Sequence, residues 1–163
     1  MENGNANGSL EDADQQQFLT FRLGGEEYGV GILTVQEIRG WSSVTKVPHT
    51  PAWLLGVINL RGVVVPIIDL RIKFDLASAE YNETTVVIIL TVAKRVIGVV
   101  VDAVSDVITL GSQQIKLAPS LGNGAETQHI IGFGTLDERM RILMDVEKLM
   151  AGADMGLVDK AIH

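Results

Sequence analysis

The side chains of this sequence best suited to metal ligation or proton transfer are three histidines, His49, His129 and His163. None has a Cys, Asp or Glu partner at the spacing a metal site requires. The chain contains no cysteine, which excludes thiolate catalysis, disulfides and cysteine-ligated metals. No Gly-x-x-x-x-Gly-Lys-Ser/Thr phosphate loop, Gly-x-Gly-x-x-Gly fingerprint or Gly-x-Ser-x-Gly elbow occurs. Gly132-Phe133-Gly134 is a fragment of the second, lies in an expected strand, and reads as packing glycine. The expectation is a protein with no catalytic residue, no metal and no cofactor.

The remaining polar signals sit at turns. Arg61 occupies a hairpin tip beside the apolar run Val63 to Val65, and Glu37 and Arg39 flank Ile38. A solvated turn arginine and an exposed charge pair are the ordinary readings of these residues. The alternative is recognition of another molecule.

Bulk properties narrow the partners. The chain has 163 residues, of which 47% are apolar and 20% charged, so it can bury a sizeable core as one domain or two small barrels. The net charge is −7 and no run of Lys and Arg occurs, which disfavours nucleic acid and anionic membrane. No apolar run reaches the roughly 20 residues of a membrane helix, because Lys94 and Arg95 interrupt the longest. The polar start, Met1 to Gln17, has no apolar core and is no signal peptide. A cytoplasmic location is expected, with membrane association only through partners.

The elements that must position these residues are mostly strands. Residues 1–16 read as a flexible tail and 17–163 as the folded part, in approximate halves 17–80 and 81–150. Phe18 to Leu23 and Glu27 to Ile32 form a hairpin over Gly24-Gly25, and Leu33 to Ile38 reads as a short helical turn. Leu54 to Leu60 and Val63 to Asp69 form a hairpin over Arg61-Gly62, where the glycine supplies positive φ. Pro66 places that second strand at an edge or a bulge. Thr84 to Val92 and Arg95 to Val101 turn at Ala93-Lys94, and Val86 to Leu90 is apolar on both faces, as a doubly buried strand should be. Gly122-Asn123-Gly124 marks a loop. Ile130 to Leu136 and Met140 to Met144 form a last hairpin. Asp145 caps a terminal helical segment over 145–161, in which a second short helix starts at Asp154.

An internal repeat runs through the chain. Tyr28 to Ile38 aligns with Ile97 to Val107, and Leu54 to Leu60 aligns with Ile130 to Leu136. Both second hairpins run to an aspartate, Asp69 and Asp145. The fold class expected is all-β: two similar small five-stranded barrels packed over a shared apolar core, with short helices.

Gly56-Val-Ile-Asn-Leu-Arg-Gly-Val-Val-Val-Pro-Ile-Ile-Asp-Leu-Arg71, with Val35-Gln-Glu-Ile-Arg-Gly40 before it and Gly98-Val-Val-Val-Asp102 after it, strongly resembles the CheW family of chemotaxis coupling proteins. The resemblance covers about residues 16 to 150. It implies a non-catalytic scaffold of two five-stranded barrels that joins the cytoplasmic tips of methyl-accepting chemoreceptors to the histidine kinase CheA. Carried across residue by residue, it implies a receptor-binding surface at Val35, Arg61, Thr85, Val86, Val87 and Gly98. It implies a kinase-binding surface at Glu37, Ile38, Arg39 and Gly56. Thr34, where relatives often carry a basic residue, and Trp41, where they carry Tyr, are departures. Two other readings stay open: a regulatory-domain-like fragment of the kinase, and a small-ligand-binding β-barrel that would retain its ligand through purification.

Overall fold

The computed structural model describes residues 14–76, 79–118 and 129–151. The tail before residue 14, the Gly122-Asn123-Gly124 loop and the helix expected at Asp154 lie outside them. In chain order the elements are β1 (Gln16–Leu23), β2 (Glu26–Gly31), a 3₁₀ turn (Ile32–Thr34), β3 (Val35–Gly40), β4 (Leu54–Leu60), β5 (Val63–Asp69) and α1 (Leu70–Lys73). They continue with β6 (Val86–Val92), β7 (Arg95–Val101), β8 (Ala103–Leu110), a 3₁₀ turn (Ser112–Gln114), β9 (Ile115–Leu117), β10 (Ile130–Leu136), β11 (Arg139–Met144) and α2 (Val146–Ala151). The four expected hairpins form. Each closes over two residues with positive φ, at Gly24-Gly25, Arg61-Gly62, Ala93-Lys94 and Asp137-Glu138, a geometry whose twist matches that of the flanking strands.

Three local expectations change. Val35 to Ile38 is strand and not helix. Its apolar spacing of three suits a helix, but the edge of β6 offers a full ladder from Val35↔Leu90 to Gly40↔Val86, and tertiary pairing overrides local pattern. β8 and β9 are additional strands. β5 is an interior strand, paired with β4 on one side and β7 on the other. Pro66 is accommodated because the β7 ladder starts only at Ile67↔Gly98, so the missing N–H breaks no pairing there.

The protein is all-β with short helices, as expected, in two sheets ordered β8-β1-β2-β11-β10-β9 and β3-β6-β7-β5-β4. The repeat is real at the level of register. Leu143↔Gly29 and Met144↔Val30 in the first sheet match Ile67↔Gly98 and Ile68↔Val99 in the second. The bulge between Ile130 and Gly132 matches that between Leu54 and Gly56, and the Lys116↔Phe133 pair matches the isolated bridge Thr45↔Val57. Asp69 and Asp145 play one role, each accepting a backbone N–H two or three residues on, from Arg71 at 2.9 Å and from Lys148 at 3.0 Å. Yet neither sheet is built from one repeat. The β1–β2 hairpin pairs with strands β8 and β11, while β6–β7 pairs with β3 and β5. Each half lends its first hairpin to the other half's sheet.

This exchange produces three apolar layers. Leu19, Phe21 and Leu23 of one sheet meet Ile68, Ile88, Leu90, Val99 and Val101 of the other in a shared core. The opposite faces bury separate clusters, Val65, Ile67, Val87, Ile89 and Val100 in one sheet and Phe18, Ile108, Leu110 and Leu143 in the other. Hence β6 is apolar on both faces: Ile88 and Leu90 face the shared core, and Val87 and Ile89 face their own sheet's cluster.

A buried guanidinium ties the layers at one end. Arg71, 1% exposed, donates from Nε and Nη2 to the two oxygens of Asp69 at 3.0 and 2.9 Å. Its Nη1 donates to Asp102 at 2.9 Å and to the Glu80 carbonyl at 2.6 Å. Burial alone would lower the Arg71 pKa, but the hydrogen bonds and charges of Asp69 and Asp102 outweigh it and raise it. Asp102 also accepts the Gly24 N–H of the β1–β2 turn, linking the two sheets. The Tyr81 hydroxyl donates to Asp69 at 2.6 Å while its ring lies under the Arg71 guanidinium.

Two predictions follow from this packing. A Cβ on Gly98 would sit 2.6 Å from Ile67 Cδ1 and 2.9 Å from Val87 Cγ1, whereas one on Gly31 meets nothing within 4 Å. Chemical denaturation should show Gly98→Ala losing about 1–3 kcal/mol and Gly31→Ala far less. The second concerns pH. Burial, and then the hydrogen bond to the Asp69 carboxylate, push Tyr81 up to about 12 from 10.0. A pKa raised on folding gives stability that is intact below the unfolded value and lost as pH rises through the folded one. Stability measured between pH 10 and 12 should therefore fall more steeply for the wild type than for Tyr81→Phe.

Candidate functional site

The rim of the five-stranded sheet brings together residues distant in sequence. β3 and β4 are its two edges, so nothing in the ladder joins them. A register shift in β3 between Val35 and Glu37 changes which way the strand faces. Val35 stands opposite Leu90 and packs on the shared core, whereas Glu37 stands opposite Ile89, on the face of that sheet's own cluster. Arg61 projects from the β4–β5 tip with φ 51°. Its Nη2 donates to Glu37 Oε1 at 2.5 Å, an ion pair that spans the two edges. The hydrogen bond from Arg61 holds the Glu37 carboxyl below its ordinary range. The Arg61 side chain remains 67% exposed. On the same edge strand as Glu37, but on its other face, Ile38 is 45% exposed, and Val63 and Val64, next to the Arg61 turn in sequence, are each half exposed. Apolar side chains around a charged pair are the ingredients of a docking surface: a desolvated centre and a polar register.

The ten residues that the sequence nominates divide into three groups. Arg61, Glu37, Ile38 and Arg39 lie on this accessible rim, although Ile38 pairs with Ile88 on one face while Glu37 and Arg39 pair with Ile89 and Val87 on the other. The pair Glu37–Arg61 joins one residue from each nominated surface, so those surfaces meet here. Val35 and Val86 are half-buried against the shared core. Thr85, Val87, Gly98 and Gly56 are buried. Thr85 is 2% exposed; its hydroxyl donates to the Glu80 carbonyl at 3.2 Å and accepts the Asn82 N–H at 2.9 Å, shaping the entry to β6. Val87 is 6% exposed, and Val87 together with Ile67 and Ile89 fills the space above Gly98. A Cβ on Gly56 would lie 2.3 Å from the Thr45 carbonyl oxygen, so that position is reserved for close backbone passage.

Sequence reasoning did not nominate Val63 and Val64 as surface residues, nor Leu33, which is 97% exposed. Apolar runs in a β sequence signal burial, and only the strand ends seen in the fold show which members escape it. A cleft of about 410 Å3 lies elsewhere, at the β1–β2 turn, lined by Gly24, Leu76, Glu80, Asn82, Thr84 and Asp102. It contains none of the rim residues. Among the described residues no three His, Asp or Glu side chains converge as metal ligands would, and no helix is long and apolar enough to cross a membrane.

Fold and rim together describe an adaptor, a β scaffold that presents a surface of mixed charged and apolar side chains. Comparison with known proteins gives the family. Residues 17–154 match the CheW-like domain. A chemotaxis protein CheW of Klebsiella aerogenes is 54% identical over 144 residues, covering 88% of this chain and 87% of that one. A probable chemotaxis protein CheW of Rhizobium etli is 41% identical over 143 residues, covering 88% and 92%. The scaffolding protein TtCheW from Thermoanaerobacter tengcongensis superposes with a TM-score of 0.74 at 32% identity, over 79% of this chain and 88% of that structure. The chain belongs to the CheW family and is a chemotaxis coupling adaptor.

The two valines at the start of β6 test the partition between packing and surface. Val87→Met adds bulk inside a filled cluster and should cost about 1–3 kcal/mol in chemical denaturation. Val86→Met, at a half-buried position, should cost less than half as much. Equal losses for the two would contradict the assignment of their faces.

Proposed function

We propose that this chain bridges the histidine kinase CheA and the cytoplasmic tips of methyl-accepting chemoreceptors, without catalytic chemistry of its own. In this reading it works in the cytoplasm and reaches the membrane only through receptor arrays. The observation that carries the proposal is the exposed Glu37–Arg61 pair, on strands that also expose Ile38, Val63 and Val64 at the rim of one sheet. A helical receptor tip presents an apolar stripe flanked by polar side chains, which such a rim complements. Arg61 and Val35 are the receptor-facing residues of the proposal. Ile38 and Arg39 face the kinase, with Glu37 between the two. Val86, half-buried against the shared core, lies at the start of β6 beneath that surface. Thr85, Val87, Gly98 and Gly56 contribute by holding β6, β7 and β4 at the right height, so substitutions there alter binding through packing. The net charge of −7 and the lack of a basic run suit protein partners rather than nucleic acid.

Co-precipitation with soluble kinase and a receptor cytoplasmic fragment tests the bridge, and Arg61→His tests the rim. The substitution removes an exposed cation at a turn and should change stability within about 0.5 kcal/mol. Receptor-dependent control of the kinase in a reconstituted assay should be lost or strongly reduced. Normal kinase control with this variant, or failure of the wild type to capture either partner, defeats the reading.

A further inference from the structure

The strand exchange has a consequence for self-association. The halves of the chain meet through four ladders: β1 with β8, β2 with β11, β3 with β6 and β5 with β7. The longest pairs Gln16 to Arg22 with Ala103 to Leu110. Each ladder joins a strand that precedes Phe74 to one that follows Thr85, and the shared core draws on both halves. Only one covalent connection links the halves, the segment from Phe74 to Thr85. Along its described part Asn82, Glu83 and Thr84 are exposed, while the Glu80 carbonyl and the Tyr81 hydroxyl bond to Arg71 and Asp69. Recognition between halves therefore resides mainly in ladders and core, and the bonds that Glu80 and Tyr81 make to Arg71 and Asp69 can be made within one copy or between two. A second copy carries the same complementary strands in the same registers.

We propose that two copies of this chain exchange halves, so that residues up to Phe74 of one copy form both sheets with residues from Thr85 onward of the other. Each composite reproduces every ladder and all three apolar layers, and the only change is the path of the connection. What favours the closed monomer is proximity: a short connection gives the second half an effective concentration of order mM. Exchange should thus compete when chains fold together at comparable concentration. Once formed, the exchanged dimer can revert only if both sheets open, so it should be long-lived under native conditions. Glu37, Ile38 and Arg61 all belong to the first half, and each copy would keep its own rim while its backing strand β6 came from the partner. The inference does not depend on what binds that rim.

The test uses the full chain, unfolded in denaturant and refolded at about 1 mM and at about 1 μM, then compared by size exclusion with light scattering after dilution to one concentration. The expected result is a dimer fraction from the concentrated sample alone that persists for hours after dilution. Isotope-labelled and unlabelled copies should form mixed dimers by native mass spectrometry when mixed before unfolding, and none when mixed after refolding. A variant lacking residues 77–79, whose shortened connection disfavours closure, should shift several-fold toward dimer. Refolding that yields only monomer at both concentrations overturns the proposal, as does a dimer that dissociates within seconds of dilution or scrambles its label when mixed folded.

Discussion

A single buried guanidinium governs how the chain passes from one sheet to the other. Arg71 is enclosed by Asp69, which ends β5 and caps α1, and by Asp102, which lies between β7 and β8 where the chain leaves one sheet for the other. Removing one partner of a buried pair costs on the order of 3–5 kcal/mol, because a charge is left uncompensated. That is a large share of the 5–15 kcal/mol by which a domain of ordinary size is stable. Replacing the whole cluster by apolar side chains need not cost anything, so the contribution of Arg71 is better described as positional. Its bidentate fork fixes the end of β5, its Nη1 fixes the crossover at Asp102, and the Asp102–Gly24 bond brings the β1–β2 turn onto the same point. A second tie runs through stacked rings, Phe21 on Tyr28, Tyr28 on Phe74 and Phe74 on His129. These contacts hold the exchanged hairpins where the shared core can close over them.

The rim inherits its geometry from that arrangement. β3 can pair with β6 only because the chain crosses from the first sheet to the second at Ile32–Thr34. The bulge after Val35 then aims Glu37 at Arg61 across an open edge. An exposed ion pair is screened by solvent and contributes little stability, so this one is poorly explained as a structural brace. It leaves a cation and apolar neighbours at the surface, which is what an adaptor needs. The buried residues beneath it, Val87 and Gly98, set the separation of β6 and β7 and leave no room for a methyl group. Function and packing are thus adjacent layers of the same strands.

Much of this was legible from the residues. Turn residues placed three of the four hairpins, the two-sided apolar run of β6 announced a doubly covered strand, and Asp145 marked a helix start, whereas Asp69 read only as the end of its hairpin and α1 after it went unread. The repeat was visible too, but not its consequence: similar segments in similar order read the same whether each barrel is self-contained or borrows a hairpin. β3 escaped because Val35 and Ile38 mimic helical spacing. β8 escaped because Ser105 and Asp106 interrupt its apolar character, though Asp106 and Thr20 bond to each other across the ladder. Alternation requires Val86 and Val87 to point opposite ways, yet only the fold shows that both faces are covered to different degrees. The Glu37–Arg61 contact joins two edges of a sheet and has no local signature at all.

The central claim is that the exchanged hairpins make both sheets one cooperative unit, on which the rim depends. Native-state hydrogen exchange measures this directly, by comparing amides of β1, β2 and β11 with those of β5, β6 and β7. The account predicts that the most protected amides of both sets open with the same free energy, equal to that of global unfolding. Separate plateaus, with one sheet opening well below the other, would contradict it and show that the sheets are independent domains joined only at their surface.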